Sequence, residues 1–128
     1  MAYYINKTIM TSFEQAIELV TEALKKEGFG VLTEIDVHKT FKAKLDVDFR
    51  RYKIMGACNP ASAYKALQAD NRIGTMLPCN VVVQELSPDT IEVAAVDPLA
   101  SMLAVENKQI KVIAGEIKIK LKRVIASL

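Results

Sequence analysis

The two cysteines of this 128-residue chain share an unusual setting. Each is followed by asparagine and lies within two residues of a proline, in ACNP at 57–60 and in LPCN at 77–80. Thiols and side-chain amides bind polar ligands, and thiolates also coordinate soft metals or attack electrophiles. The repeated pattern predicts one pocket for a small polar ligand or a metal ion, formed by Cys58, Asn59, Cys79 and Asn80.

Cys58 stands directly before a predicted helix, where backbone N–H groups favour negative charge and lower the pKa of a thiol. It is therefore the candidate catalytic residue of a thiol-dependent enzyme or redox protein. If the strands that carry Cys58 and Cys79 are neighbours, the two thiols meet and form a reversible disulfide or hold zinc or copper. The alternative, equally supported, is that each cysteine is a small buried apolar residue. Asn59 then serves as a helix cap and Asn80 as a strand-edge residue.

Four other side chains are candidates for chemistry. His38, the sole histidine, is the obvious third metal ligand, but its place on the basic face of a predicted helix favours a solvated role. Asp36 and Asp97 each precede a helix and are expected to be N-caps. Glu34 has no evident structural role, so we treat it as a candidate acid, base or ligand-binding residue.

Composition restricts the class of protein. Hydrophobic residues make up 51% and charged residues 25% of the chain, as in ordinary globular proteins, and the length suits one domain over 1–128. The net charge of +2 is too small to predict nucleic-acid binding, and no particular cofactor is indicated. No secretion signal or membrane-spanning apolar run is recognisable, so we expect a cytoplasmic protein without a membrane partner.

Periodicity predicts alternating strands and helices. The predicted strands cover 3–9, 29–35, 52–58, 81–83 and 90–96, and the predicted helices cover 12–28, 37–45, 60–70, 99–105 and 110–128. The last segment also alternates like a strand over 117–121, but its helical spacing lasts longer, which favours a helix. From residue 105 onward it holds six basic and two acidic residues. This basic helix either packs on the domain or makes the protein an interaction module.

Four motifs occur in a fixed order: FGVLTEID at 29–36, GACNP at 56–60, LPCNV at 77–81 and DP at 97–98. Over about residues 3–105 they resemble the domain-of-unknown-function family numbered 302, with the basic amphipathic helix of 106–128 following. The resemblance implies an α+β two-layer sandwich, with an antiparallel sheet and helices on one face, similar to TATA-box-binding-type domains. It also implies a homodimer, but no known activity, and a shared fold does not imply DNA binding.

Overall fold

The antiparallel sheet is the centre of the structure. A computed structural model describes residues 2–128, and its five strands lie in the order β1-β5-β4-β3-β2, with every neighbouring pair antiparallel. The predicted α+β class with a single antiparallel sheet is therefore confirmed. In chain order the elements are β1 (Tyr4–Met10), α1 (Phe13–Lys26), β2 (Gly30–Asp36), α2 (Val37–Leu45), β3 (Tyr52–Cys58), α3 (Pro60–Ala69), a 3-10 turn (Ile73–Met76), β4 (Cys79–Ser87), β5 (Thr90–Val96), α4 (Pro98–Ser101) and α5 (Lys108–Ala126).

The start of the longest helix, α5, is set by a capping side chain, and its orientation is set by a stripe of buried apolar residues. The Asn107 side chain accepts the backbone N–H groups of Gln109 and Ile110, which otherwise have no partner at a helix start. Ile117 and Leu121 are buried four residues apart, whereas Ile119 between them is 55% exposed. The alternation at 117–121 is thus one buried stripe plus an exposed isoleucine, and the predicted helix is confirmed.

The main core lies between one face of the sheet and helices α1 and α5. Alternate strand residues point to this side because successive side chains of a strand leave opposite faces. The helix α5 contributes Ile117, Leu121 and Val124 to the same core cluster as the strands, so it is a structural part of the domain rather than an appendage. Two of its six basic residues also pair with the chain's own carboxylates, Lys118 with Asp97 and Arg123 with Glu27.

The other face of the sheet, which we call the open face, is not covered by any buried cluster of residues 2–128. Its members follow from the strand register. They are Thr33, Ile35, Tyr52, Ile54, Gly56, Asn80, Val82, Gln84, Thr90, Glu92, Ala94, Val96, Tyr4, Asn6, Thr8 and Met10.

Two local predictions need correction. The helix predicted over 99–105 is one turn, Pro98–Ser101, followed by turns. Asp36 occupies the N-cap position of α2, but its side chain makes no cap hydrogen bond. The carboxylate instead lies 3.6 Å from the ammonium groups of Lys39 and Lys53, because these cations compete with backbone N–H groups for its oxygens. No helix among residues 2–128 is long and apolar enough to cross a bilayer.

Gly56 is the position where the open face tolerates no side chain. A Cβ atom there would lie 2.2 Å from Oγ1 of Thr33 and 2.8 Å from Cγ of Pro78, and the proline ring has little freedom to move. We expect Gly56→Ala to lower the free energy of unfolding by about 1–3 kcal/mol, as overpacking does elsewhere. Urea denaturation measures the change.

The matched control for this prediction is Gly115→Ala in α5. Nothing lies within 4 Å of a Cβ atom built at Gly115. Alanine is the better helix former, so this variant is expected to gain about 0.5–1 kcal/mol. Equal effects of the two substitutions would contradict the steric argument for Gly56.

Candidate functional site

A small apolar cavity lies where α3 and α5 cross the ends of β3 and β4. Its volume is about 40 Å³. The lining comes from both helices, from the strand ends and from the segments that precede β4 and follow β5. It comprises Phe29, Ala57, Cys58, Asn59, Ser62, Ala63, Ala66, Leu77, Pro78, Cys79, Pro98, Met102, Ile110, Ile113, Ala114 and Ile117.

The cavity exists because two core clusters meet there without filling the junction. Ala57 and Ile117 belong to the main core, whereas Ala66 and Ala114 belong to a second cluster beneath α3. Protein interiors are normally close-packed. The alanines on the facing sides of α3 and α5 have small side chains, so they leave a gap between the two helices. The ACNP and LPCN segments both reach this junction, the first at the end of β3 and the second at the start of β4.

The Cys79 thiol is a largely buried, uncharged part of the cavity wall. Burial, reinforced by the negative charge of a Cys58 thiolate, raises the pKa of Cys79 to about 11. The group is consequently protonated at neutral pH, when a thiol acts as a small apolar side chain with a weak S–H donor.

The two thiols do not form the pair that neighbouring strands had led us to expect. The strands β3 and β4 are indeed adjacent, but Cys79 lies opposite Ala57, whereas Cys58 lies opposite Gly30 of β2. Cys58 and Ala57 are consecutive, so their register positions belong to opposite faces of the sheet. Cys58 is the last residue of β3, and at this strand end it still borders the cavity. Both cysteines are free, and no disulfide or close cysteine pair is present among residues 2–128.

Asn59 is a helix cap that also ties α3 to the end of α1. Its Oδ1 accepts the backbone N–H of Ser62 at 3.3 Å, and its Nδ2 donates to the carbonyl oxygen of Glu27 at 3.4 Å. The amide group is thus engaged at both ends. Asn59 borders the cavity, but it holds the helix start in place rather than offering free polar atoms.

Asn80 lies on the opposite side of the sheet from the cavity. It is exposed and faces Gly56 on the open face, beside a shallow groove bordered by Tyr4 and Tyr52. The side chain of the preceding residue, Cys79, points to the core, because successive side chains of a strand leave opposite faces of the sheet. The second Cys-Asn pair is therefore divided between the two faces.

The structure also places His38 and Glu34 away from the cavity. The Nδ1 atom of His38 accepts the backbone N–H of Tyr52 at 3.0 Å. Six residues of extended strand, roughly 20 Å, separate Tyr52 from Cys58. Glu34 is opposite Met55 at the edge of the sheet, with a carboxylate oxygen 3.7 Å from the ammonium group of Lys53. Residues 2–128 contain no group of three or more His, Cys, Asp or Glu side chains arranged for a metal ion, so His38 does not join the two cysteines.

A buried ion pair beside the cavity escaped the sequence-based reasoning. The Asp97 carboxylate is 4% exposed, and it accepts the backbone N–H groups of Leu99 at 3.0 Å and Ala100 at 3.3 Å, as predicted for an N-cap. Its other oxygen is 2.8 Å from Nζ of Lys118 in α5. Burial opposes ionisation, but the Lys118 ammonium and the two backbone donors outweigh it and hold the pKa of Asp97 below its usual value. No sequence pattern links two charges 21 residues apart on different elements.

These features define an α+β domain with one antiparallel sheet and an apolar cavity at the strand ends. The family model described as domain of unknown function DUF302 matches residues 5–128, and the chain belongs to this family. The match includes α5, so the predicted family-like core of 3–105 was too short. A crystal structure of the uncharacterized conserved protein DUF302 from Bacillus stearothermophilus is similar, with 28% identity, coverage of 98% of each chain and a TM-score of 0.89. The curated proteins include no match.

Proposed function

We propose that this domain binds a small apolar molecule, or the apolar end of a larger one, in the cavity between α3 and α5. The supporting observation is the cavity itself, whose wall is mostly apolar and also includes Cys58, Cys79 and the capping residue Asn59. Apolar cavities accept apolar guests, because water beside their walls lacks hydrogen-bond partners.

The cavity volume limits what enters without rearrangement. At about 40 Å³, the space exceeds that of one water molecule but is well below the roughly 150 Å³ that holds benzene. Larger ligands require an element to move, and of the two helices that line the cavity α3 is the less firmly anchored. It buries only Ala66, whereas α5 buries six residues. Elements with few buried contacts open at the lowest cost in free energy, so α3 acts as the movable wall.

An apolar ligand is better supported than the polar ligand or metal ion that the sequence suggested. Asn80 lies on the other face and the amide of Asn59 is already engaged, so the paired amides do not converge. Metal coordination requires a thiolate, and the raised pKa of Cys79 opposes its formation. For a thiol-dependent enzyme, Cys58 would need a base, yet the sole histidine binds the backbone at the far end of β3.

Methyl NMR with xenon and with benzene as probes tests this proposal. We expect both probes to shift the methyl signals of Ala63, Ala66 and Ala114 while leaving those of exposed alanines unchanged. Ala114→Leu fills the cavity and is expected to abolish these shifts. Ala126→Leu, at an exposed position of the same helix, is the matched control and is expected to retain them.

Two outcomes would contradict the proposal. One is the absence of probe-induced shifts at the cavity alanines of the wild-type protein. The other is retention of those shifts in Ala114→Leu, which would place the probes elsewhere. Far-UV circular dichroism verifies that each variant is folded before its spectrum is interpreted.

A further inference from the structure

A groove on the open face of the sheet is much larger than the apolar cavity. Its volume is about 360 Å³, which falls within the roughly 300–1,000 Å³ typical of small-molecule sites. Ala94 and Val82, register neighbours on β5 and β4, give it a floor of short side chains. Tyr4 and Tyr52 line it from β1 and β3, so longer side chains border the floor on both sides.

Glu92 is the one charged residue among those of 2–128 that line this groove. One of its carboxylate oxygens accepts a hydrogen bond from Nε2 of Gln84 at 2.9 Å, and the other accepts one from Nδ2 of Asn6 at 3.0 Å. These amides belong to the two neighbouring strands, so they fix the orientation of the carboxylate. Each oxygen has two lone pairs, and each can therefore accept one more hydrogen bond.

The Glu92 carboxylate has no cationic partner within the described chain. No lysine, arginine or histidine nitrogen of residues 2–128 lies within 4.0 Å of it. Arg50 lies beyond Tyr52, with Cζ 4.4 Å from the centroid of the Phe49 ring, and it does not line the groove. The groove therefore presents a carboxylate that is held in place by neutral amides and is complementary to a cation from solution.

Tyrosine rings supply the second feature that suits an organic cation. Tyr52 lies in the same register row as Glu92, with Gln84 between them. Two strand spacings, about 10 Å, separate their backbones, so an ammonium group above Gln84 is within reach of both the carboxylate and the ring. Across the groove Tyr4 is 42% exposed and packs edge-to-face on Tyr3, with ring centroids 5.0 Å apart. These rings are available to the apolar part of a ligand.

We propose that this groove binds a small organic amine in its protonated form. The ammonium group donates to Glu92 and lies against the ring of Tyr52, and the apolar body covers Ala94 and Val96 toward Tyr4. Charge-assisted hydrogen bonds and cation–π contacts both favour a cation over a neutral molecule of the same shape. An anion is disfavoured, because the only charge in the groove is of the same sign.

The groove and the apolar cavity are separate sites. They lie on opposite faces of the sheet, and no residue of 2–128 lines both. Ala114→Leu, which fills the cavity, is therefore expected to leave amine binding unchanged. Failure of either proposal leaves the other standing.

NMR titration with three phenyl probes of similar shape tests this proposal. Phenethylamine is a cation at neutral pH, phenethyl alcohol is neutral and hydrocinnamate is an anion. Phenethylamine is expected to shift the backbone amide signals of Val82, Ala94 and Val96, and to bind about tenfold or more tightly than the alcohol. Hydrocinnamate is expected to leave these signals unchanged.

Two substitutions separate the charge from the ring. Glu92→Gln keeps the shape of the side chain, and it is expected to weaken amine binding at least about tenfold and to abolish the preference over the alcohol. Glu18→Gln, at an exposed position of α1, changes the net charge equally and is the matched control, with binding unchanged. Tyr52→Leu keeps the carboxylate and is expected to weaken amine binding about twofold to fivefold. Circular dichroism verifies the fold of each variant.

Four outcomes would overturn the proposal. They are the absence of amine-induced shifts in the groove, equal affinity for the amine and the alcohol, undiminished amine binding in Glu92→Gln, and a groove covered by another copy of the chain. Sedimentation velocity detects this last occupant, since a dimer that Ala94→Arg dissociates would show that a second copy covers the floor of the groove.

Discussion

Replacing Asp97 with alanine is expected to lower the free energy of unfolding by about 3–5 kcal/mol, the largest effect of any single substitution proposed for this protein. The change removes the N-cap of α4 and leaves the ammonium group of Lys118, whose side chain is 26% exposed, without its partner. An unpaired charge in a largely buried position costs more free energy than the original pair contributes. Urea denaturation of the wild-type and variant proteins measures the difference.

A double-mutant cycle separates the ion pair from the cap. Lys118→Met leaves the Asp97 carboxylate buried with only its two backbone donors, whereas the double variant Asp97→Asn with Lys118→Met removes both charges. We expect the double variant to be more stable than the sum of the single effects predicts, because neither charge is left unpaired. Glu22→Gln is the matched control, since the Glu22–Lys25 pair is about two-thirds exposed on both sides and its loss is expected to cost less than about 1 kcal/mol.

The same pair gives stability a defined dependence on pH. Because folding lowers the pKa of Asp97, the ionised carboxylate stabilises the folded state at every pH above its unfolded value of about 3.9. That contribution is lost as the pH falls from about 4 through the lower folded pKa. We expect Asp97→Asn to show a flatter loss of stability in this range than the wild-type protein. Parallel acid curves for the two proteins would mean that Asp97 does not titrate differently in the folded state.

Local signals were sufficient to predict most of the fold. Local features identify α1, α3 and α5: a capping residue before α1 and α3, and a lasting apolar period for α5, each of which acts within a few residues. Ser12 is such a cap, since its side chain accepts the N–H of Gln15. The helix predicted after Pro98 was too long because nothing local indicates that the chain turns after Ser101.

The site was harder to predict because it depends on which face each side chain occupies. The hypothesis from sequence was that Cys58 and Cys79 meet if their strands are adjacent. The strands are adjacent, but the register sets Cys79 opposite Ala57 rather than opposite Cys58. The same alternation carries Asn80 to the open face. Register depends on pairings between residues distant in the chain, which a single sequence does not reveal. The ion pair of Asp97 with Lys118 was not predicted for the same reason, because it joins residues that are distant in the chain.

The chemistry of Cys79 is the second large effect that the structure predicts. In the Cys58→Ser variant Cys79 is the sole thiol, and we expect it to react with iodoacetamide at pH 7 at least about tenfold more slowly than a free cysteine. Only the thiolate reacts, and burial, the larger cause of the raised pKa of Cys79, remains in this variant, whereas the smaller contribution of the Cys58 charge is removed. Mass spectrometry of quenched samples gives the rate.

The pH profile of this reaction distinguishes burial from simple steric protection. Burial predicts a rate that rises about tenfold per pH unit and levels off only well above pH 9.0. Steric protection alone would lower the rate at every pH and leave the midpoint near 9.0. The same variant unfolded in urea is the control, because its thiol is unprotected. Saturation of the folded variant with benzene is expected to slow alkylation of Cys79 further, since the probe occupies the space beside the sulfur. A folded-state midpoint near 9.0 would show that water reaches Cys79, and an apolar ligand site beside that thiol would then be untenable.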